Sequence, residues 1–332
     1  MACDVFGLGN ALVDALVVTD DLELVRRHGL QRGTMHLVSD ERWRAVYSEV
    51  PSDQVELHPG GSGANSVSMV AMLGGDSTFC GLVGSDVLGQ TYAERLGEIM
   101  GHHYLRTRDD VATGKCLSII SSADAERTML TDLGGAMELG PAELPVEAVE
   151  KATWLHLTGY LFTGGQMGDA AMLALDRALH AGTRISFDVA DAFVIQHCRD
   201  TVEKVIRDYA DVVFMNEEEA RMLAGGDAAE AVHKVGAWVD TAVVKLGKRG
   251  SIIKKGDTIV PIEAVSVDAV DTTGAGDAYA GGFLYGLARG WQLEACGHLA
   301  SAVAGLTVSQ VGGVVRDRDK LGKALARVEA EA

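Results

Sequence analysis

The sequence predicts an α/β fold: a mostly parallel central sheet with helices on both faces and a small β-rich lid. Three observations predict it. Short apolar runs ending in Gly, Asn or Asp alternate with longer amphipathic stretches, the rhythm of strands feeding crossover helices. Two regions, roughly 14–58 and 103–133, break that rhythm with segments of alternating polarity and read as the lid. No repeat, low-complexity tract or linker interrupts the 332 residues, so 1–332 reads as a single domain with ample core.

The elements follow in order. Val5–Leu8 is the first strand, Ser66–Leu73 a helix stopped by Gly74-Gly75, Ser77–Val83 a strand and Gln90–Met100 a helix. In the lid, Lys115–Ser121 and Glu126–Leu130 alternate with period two, which predicts half-exposed strands. Further on, Thr153–Leu157, Arg184–Val189, Val212–Met215 and Thr241–Leu246 read as short buried strands. Between them lie helices at Gln166–Ala181, Thr201–Tyr209 and Ala228–Val239. The small and apolar run Ala278–Leu287 predicts another helix, and Asp317–Glu329 an amphipathic closing one.

Composition narrows the function. Hydrophobic residues make up 47% and charged residues 23%, ordinary for a globular protein, while 40 glycines predict many tight turns. The formal net charge of −18 argues against nucleic-acid and anionic-membrane surfaces. Such a chain can still hold a nucleotide with helix N-termini, a few local cations and Mg²⁺. Five scattered cysteines without a Cys-x-x-Cys read as free thiols in a reducing compartment. Residues 1–10 carry no basic stretch before an apolar one, and no apolar run reaches the ~18 residues of a membrane span. The expectation is a cytoplasmic protein.

The most informative stretch is Asp271-Thr272-Thr273-Gly274-Ala275-Gly276-Asp277, running straight into the small-residue helix. Gly274, Ala275 and Gly276 fall at that helix's first turn, where free N–H groups and the dipole's positive end make an anion site. Asp277 then suits a general base beside a phosphate; the plainer reading is a loop entering a helix. Other phosphate devices are missing. Each Gly-Lys pair (114–115, 247–248, 322–323) lacks a following Ser or Thr, which excludes a Walker A loop. Gly7-Leu8-Gly9 opens like a dinucleotide fingerprint, but Leu12 stands where its third glycine belongs, which counts against a dehydrogenase.

Four further sites each admit two readings. In His58-Pro59-Gly60-Gly61-Ser62-Gly63-Ala64-Asn65-Ser66 the double glycine admits a close ligand approach and Asn65 offers a donor and an acceptor; a capped turn fits as well. Asn216-Glu217-Glu218-Glu219 is a capping-box pattern or a carboxylate site for a Mg²⁺-bound water. Lys245-Leu246-Gly247-Lys248-Arg249-Gly250 is a hairpin or a phosphate-facing loop. Asp14 caps a turn or binds sugar hydroxyls.

In this order and spacing the five motifs resemble the ribokinase-like (PfkB) carbohydrate kinases through nearly the whole chain. Within that family Gly60-Gly61-Ser62-x-x-Asn65-Ser66, Asp188–Ile195 and Glu126–Leu130 with Leu133 look most like the adenosine kinase branch. The resemblance implies a three-layer α/β/α domain with a lid. It implies phosphoryl transfer from MgATP to a hydroxymethyl group, the 5′-OH if the substrate is adenosine, with a sugar kinase of the same family as the alternative. A non-catalytic binding protein on this scaffold is a further alternative, against which the intact Asp277 turn speaks.

The resemblance also implies roles. Asp277 would take the hydroxyl proton, and Gly274, Ala275 and Gly276 would stabilise the transferring phosphoryl group. Asp14, Gly60, Gly61 and Asn65 would hold ribose hydroxyls. Phe193, Met35, Leu16, Met129 and Leu133 would wall a purine, and Arg127 would reach phosphates from the lid. Asn216, Lys245, Gly247, Gly250 and Thr272 would serve ATP, whose adenine would lie between the Lys245–Gly250 turn and the helix near His298–Gly305. Asn216 and Glu219 would hold Mg²⁺ through water, and Asp271 matches the position beside which relatives bind K⁺. The implied partners are a nucleoside or sugar and ATP, with no nucleic acid or membrane, on a monomer or homodimer.

Overall fold

In the computed structural model, which describes residues 3–20, 22–124 and 126–330, the apolar runs pair into three sheets. Residues 1, 2, 21, 125, 331 and 332, which fall within the expected N-terminal, lid and domain spans, lie outside the described residues. In chain order the strands are β1 (Val5–Leu8), β2 (Leu12–Thr19), β3 (Met35–Leu37), β4 (Glu56–Gly60), β5 (Ser77–Cys80), β6 (Leu82–Gly84), β7 (Arg106–Arg108) and β8 (Gly114–Ser121). They continue as β9 (Arg127–Asp132), β10 (Trp154–Thr158), β11 (Arg184–Asp188), β12 (Val212–Asn216), β13 (Thr241–Lys245), β14 (Ser251–Lys255) and β15 (Thr258–Ile262).

The large sheet has eight strands in the order β15-β14-β13-β12-β11-β10-β1-β5, parallel from β13 to β5 and antiparallel at β14 and β15. Its alternating side chains feed two cores. Phe6, Leu8, Leu155, Leu157, Ile185, Phe187 and Val213 pack on one face against helices such as Met167–Ala181 and Ala192–Asp208. Val5, Phe79, Trp154, Val212, Phe214 and Val243 pack on the other against helices Ser62–Met72, Ala275–Ala288 and Leu293–Val308. Two covered faces are why these strands are mostly apolar rather than alternating. Among the described residues, no helix is long and apolar enough to cross a membrane.

The second sheet, β3-β9-β8-β2-β4, falls mostly within the spans read as the lid. One face carries Ala15, Val17, Leu117, Ile119 and Leu130 against Val25, Leu30, Trp43 and Val46. Val25 comes from helix Glu23–Arg27, Trp43 and Val46 from helix Asp40–Tyr47, and Leu30 from the stretch between them, so the lid has its own small core and is not built of strands alone. Its other face, with Asp14, Cys116, Met129 and Thr131, looks into the central cavity. Covered on both sides, β8 is buried along its whole length, against the half-exposed strand its polarity predicted. Lys115 explains part of that polarity. Only 2% exposed, its Nζ lies 2.6 Å from Asp132 and 2.7 Å from Asp40, above the Trp43 ring.

Several boundaries differ from expectation. The run Ser77–Val83 breaks at Gly81, where a Cβ would meet Phe79 at 2.8 Å and the Gly9 carbonyl at 2.9 Å. Helix Ser62–Met72 starts four residues before the expected Ser66, which puts its first turn inside the glycine motif. Helix Ala192–Asp208 begins well before Thr201, capped by Asp191, with non-helical backbone at Cys198 inside it. Helix Ala228–Val235 stops before the expected Val239. Residues Arg106–Arg108 pair with Leu82–Gly84 as a separate two-stranded sheet rather than joining the lid.

Lys115 is the lid's only buried cation among the described residues that bridges two carboxylates. Lys115→Ala is therefore expected to cost about 3 kcal/mol in urea unfolding, because it strands a buried charge network.

Candidate active site

The parallel strands end along one edge, and the last residues of four of them line a cavity of about 860 Å³ roofed by the lid. Thr158 ends β10, Asp188 ends β11, Asn216 ends β12 and Lys245 ends β13, and all four line it. Ligands of open α/β sheets bind at this carboxyl edge.

The Asp271–Asp277 turn forms the floor. Gly274 caps helix Ala275–Ala288 at φ +69, and a Cβ there would stand 2.5 Å from Gly313, so the position needs glycine twice over. The Ala275 N–H makes a long 3.4 Å bond to the Thr272 carbonyl, closing the turn. The N–H groups of Gly276 and Asp277 are then the first-turn donors without an acceptor inside the helix. Asp271 is fully buried and does not line the cavity. Its Oδ1 accepts from the Thr273 N–H (2.9 Å) and hydroxyl (2.6 Å), and its Oδ2 from the Gly312 N–H (2.9 Å), so it holds the turn's shape.

Asp277 faces helix Ser62–Met72. The Ser62 hydroxyl donates to its Oδ1 at 2.6 Å and the Asn65 amide to its Oδ2 at 3.0 Å. One turn further along, Gly281 lies against the Ser66 carbonyl and Met69, so closely that a Cβ would collide with both. The two helices thus touch at equivalent steps, and that register brings the carboxylate to Ser62. Burial pushes Asp277 upward, the Ser62 and Asn65 bonds pull it down, Asp188 adds to the rise and Lys245 opposes it; the net shift is upward.

The double glycine also makes close approaches within the protein. A Cβ on Gly60 would collide with the Asp14 carboxylate, and one on Gly61, at φ +94, with the Asn10 carbonyl. Gly60 leaves room for Asp14, and Gly61 delivers Ser62 and Asn65. Gly61 lines the cavity and Gly60 does not. Burial lifts the Asp14 carboxyl to about 7, helped by Asp277 and Asp271 and opposed by Arg127.

On the far side, Lys245 pairs with Asp188 at 2.7 Å. A Cβ on Gly276 would be 3.1 Å from Lys245 Nζ, so the ammonium sits against the Asp271–Asp277 turn. Burial works to lower Lys245, but Asp188, Glu219 and Asp277 hold it above the usual lysine value. Asn216 and Glu219 form the capping box: Asn216 Oδ1 accepts from the Glu219 N–H (2.9 Å), and Glu219 accepts from the Asn216 N–H (2.8 Å) and side-chain amide (2.5 Å). Both residues also line the cavity. Glu219 is raised to about 7, by burial first, with Lys245 opposing and Asp188 adding. The Lys245–Gly250 segment is a hairpin turn into β14 and a cavity wall at once, through Gly247, Lys248 and Gly250. At Gly250, φ +88, a Cβ would collide with the Ile262 carbonyl.

The lid closes the roof. Met35 and Met129 pair across β3 and β9 and line the cavity with Leu37 and Leu133. Arg127 reaches down from β9, and its guanidinium donates to the Thr272 hydroxyl at 3.2 Å. Phe193 lines the wall as expected. Leu16 does not; it is buried against Gly312 instead. From helix Leu293–Val308 the lining residues are Ser301, Ala304, Gly305 and Val308, without His298.

Sequence reasoning missed three members: Ser62 as partner of Asp277, Asp188 as partner of Lys245, and Tyr160. Tyr160 lines the cavity and donates to Asp191 at 3.1 Å, while Asp191 also accepts from the Phe193 N–H at 2.7 Å. Their one sequence signal is position, since each stands within two residues of a strand end or beside a glycine.

Comparison with known proteins agrees with this geometry. A family model described as pfkB family carbohydrate kinase matches residues 34–318. The adenosine kinase of Dictyostelium discoideum is 28% identical over 328 residues, covering 88% of this chain and 92% of that protein. The solved structure of a probable sugar kinase from Rhizobium etli superposes with a TM-score of 0.91 at 30% identity, covering 99% of each chain. That of the adenosine kinase from Sinorhizobium meliloti gives 0.90 at 29% identity over 100% of both.

The raised carboxyls bear on stability. A carboxyl near 7 in the folded protein and near 4 unfolded binds more protons folded between those values, so its contribution falls as pH rises through that window. Asp14→Asn removes one such group. Without ligands the variant is expected to unfold about 2–4 °C above the parent at pH 8 and to lose that advantage at pH 4, read by thermal melts.

Proposed function

The chain belongs to the pfkB family of carbohydrate kinases, phosphotransferases acting on a hydroxyl group, and from that premise we propose that it phosphorylates the 5′-hydroxyl of a nucleoside, adenosine foremost, from MgATP. One observation carries the choice of a nucleoside. Beside the polar end with Asp14, Asn65 and Asp277 stands an apolar wall of Met35, Leu37, Met129, Leu133, Tyr160 and Phe193. Ribose hydroxyls suit the first and a flat purine the second. The same polar end would hold a free sugar, and the likeness to a probable sugar kinase supports that second reading.

In this mechanism the substrate's hydroxyl oxygen forms a new bond to the γ-phosphorus as the bond to the ADP oxygen breaks, and Asp277 takes the hydroxyl proton. The N–H groups of Gly276 and Asp277 and the Lys245 ammonium offset the charge on the transferring phosphoryl group. Asp14 and Asn65 orient the sugar, and Arg127 and Thr272 close over the phosphates from lid and floor. Lys245, Gly247 and Gly250 would flank the nucleotide.

The residues present fit Mg²⁺ held through water. Glu219 and Asn216 line the cavity with their direct bonds already spent on each other, and Glu219 is raised to about 7, a proton that a nearby cation would displace. Bound there with ATP, the ion would neutralise phosphate charge. Asp271 suits a K⁺ site less directly. With three donors on its two oxygens, it has one lone pair to spare, so a cation beside the turn would depend mainly on backbone carbonyls.

A coupled ADP-release assay over adenosine, other nucleosides, ribose and fructose, with and without K⁺, tests the reading. The highest kcat/KM is expected for adenosine; ribose or fructose as best substrate would establish the sugar-kinase reading instead. Asp277→Asn is expected to lose at least ~100-fold in kcat with little change in ATP binding. Phe193→Ala is expected to raise the adenosine KM by about tenfold while leaving that for ATP unchanged, as loss of one aromatic contact implies.

A further inference from the structure

Asp277 is gripped on both carboxylate oxygens by one helix, through Ser62 on Oδ1 at 2.6 Å and Asn65 on Oδ2 at 3.0 Å. We propose that Ser62 is a positioning residue for Asp277: its hydroxyl fixes the plane of the carboxylate so that a free lone pair of Oδ1 meets the substrate's hydroxyl. The inference rests on the base role of Asp277 proposed above.

Three observations carry it. An ionised carboxylate only accepts, so Ser62 is the donor, and 2.6 Å lies within the range of strong charge-assisted O–H···O⁻ bonds. Ser62 is itself held, being the first residue of its helix behind the left-handed Gly61, with its carbonyl accepting from the Ser66 hydroxyl at 3.2 Å. The terminal torsion of an aspartate is intrinsically broad. One donor per oxygen pins it while leaving each oxygen a second lone pair. With Asn65 alone the carboxylate can swing about its remaining bond, and the fraction of bound substrate in line for attack falls.

The bond also bears on titration. Ser62 and Asn65 are the groups whose hydrogen bonds oppose the upward push of burial on Asp277. Facing it from other elements are Asp188 of β11, Lys245 of β13, Asp14 of β2 and Tyr160 after β10. Losing the Ser62 hydroxyl leaves burial and Asp188 less opposed, so Asp277 holds its proton to higher pH. Asp14, near 7 and raised in part by Asp277, titrates with it, so the acid limb reports the pair and moves with Asp277.

The test measures kcat and KM from pH 5 to 9 for the parent, Ser62→Ala, Ser62→Thr and Asp277→Asn, with adenosine or the fastest substrate of the panel. Ser62→Ala is expected to lower kcat at pH 7 about tenfold, with KM within about threefold and the acid limb moved up by about one pH unit. Ser62→Thr, which keeps the hydroxyl, is expected to restore both. If Ser62→Ala raises KM and leaves kcat and the acid limb unchanged, Ser62 only binds substrate and the inference falls. It falls equally if nothing changes, or if Ser62→Thr behaves like Ser62→Ala. Near-normal turnover by Asp277→Asn would instead remove the base role, and this inference with it.

Discussion

The close packing of two helices by small residues sets the rest of the site. Helices Ser62–Met72 and Ala275–Ala288 lie on the same sheet face, and Gly281 lets the second touch the backbone of the first at Ser66. Four residues earlier on each helix stand Asp277 and Ser62, joined at 2.6 Å. A helix repeats its contacts every three to four residues, so a backbone contact one turn up dictates a side-chain contact one turn down. The positions of the carboxylate, the glycine turn beside it and the Asn65 amide are therefore consequences of one interhelix distance. Gly7 and Gly63 extend the logic, with a Cβ at either meeting Val67 at 2.8 Å or the Leu8 carbonyl at 3.3 Å.

Around that contact the protein concentrates negative charge where the proposed reaction would bring phosphates. Asp14 and Glu219 are both raised to about 7, and Asp188 and Asp271 are almost fully buried. Such groups cost stability in the empty protein and become useful only when substrate hydroxyls and cations meet them. Lys245 is the standing counter-charge, tied to Asp188. Asp188 Oδ1 also accepts from the N–H of Ala190 at 3.0 Å, and Ala190 is the only non-glycine residue with positive φ among those described, at +75. That strained corner joins the two halves of the cavity. Asp188 fixes the Lys245 cation on one side, and Asp191 fixes Tyr160 and Phe193 on the apolar side. Strain held in place by a buried carboxylate is typical of functional corners.

Much of this was legible in the sequence because some devices are local. The Asp271–Asp277 turn declares itself within seven residues, since glycines suit a left-handed turn and the small-residue helix that follows leaves its first N–H groups free. The parallel sheet showed in strands apolar on both faces. What was hidden depends on distance along the chain: Ser62 meets Asp277 across 215 residues and Lys245 meets Asp188 across 57, and neither pair leaves a local pattern. Lys115 misled for a related reason. Its charge made β8 read as half-exposed, whereas Asp40 and Asp132, distant in sequence, let it be buried. Ala192-Phe193-Val194-Ile195 lacks a helical stripe, so the start of helix Ala192–Asp208 was set by the Asp191 cap rather than by periodicity.

The claim that one interhelix distance sets the base is tested most directly by adding a single carbon at Gly281. A methyl there must push helix Ala275–Ala288 away from the Ser66 carbonyl and carry Asp277 with it. For folded Gly281→Ala, with adenosine and MgATP saturating, kcat is predicted to fall about ten- to a hundredfold, as sub-ångström misplacement of a reacting group implies. A folded variant that turns over at the parent rate would contradict the account.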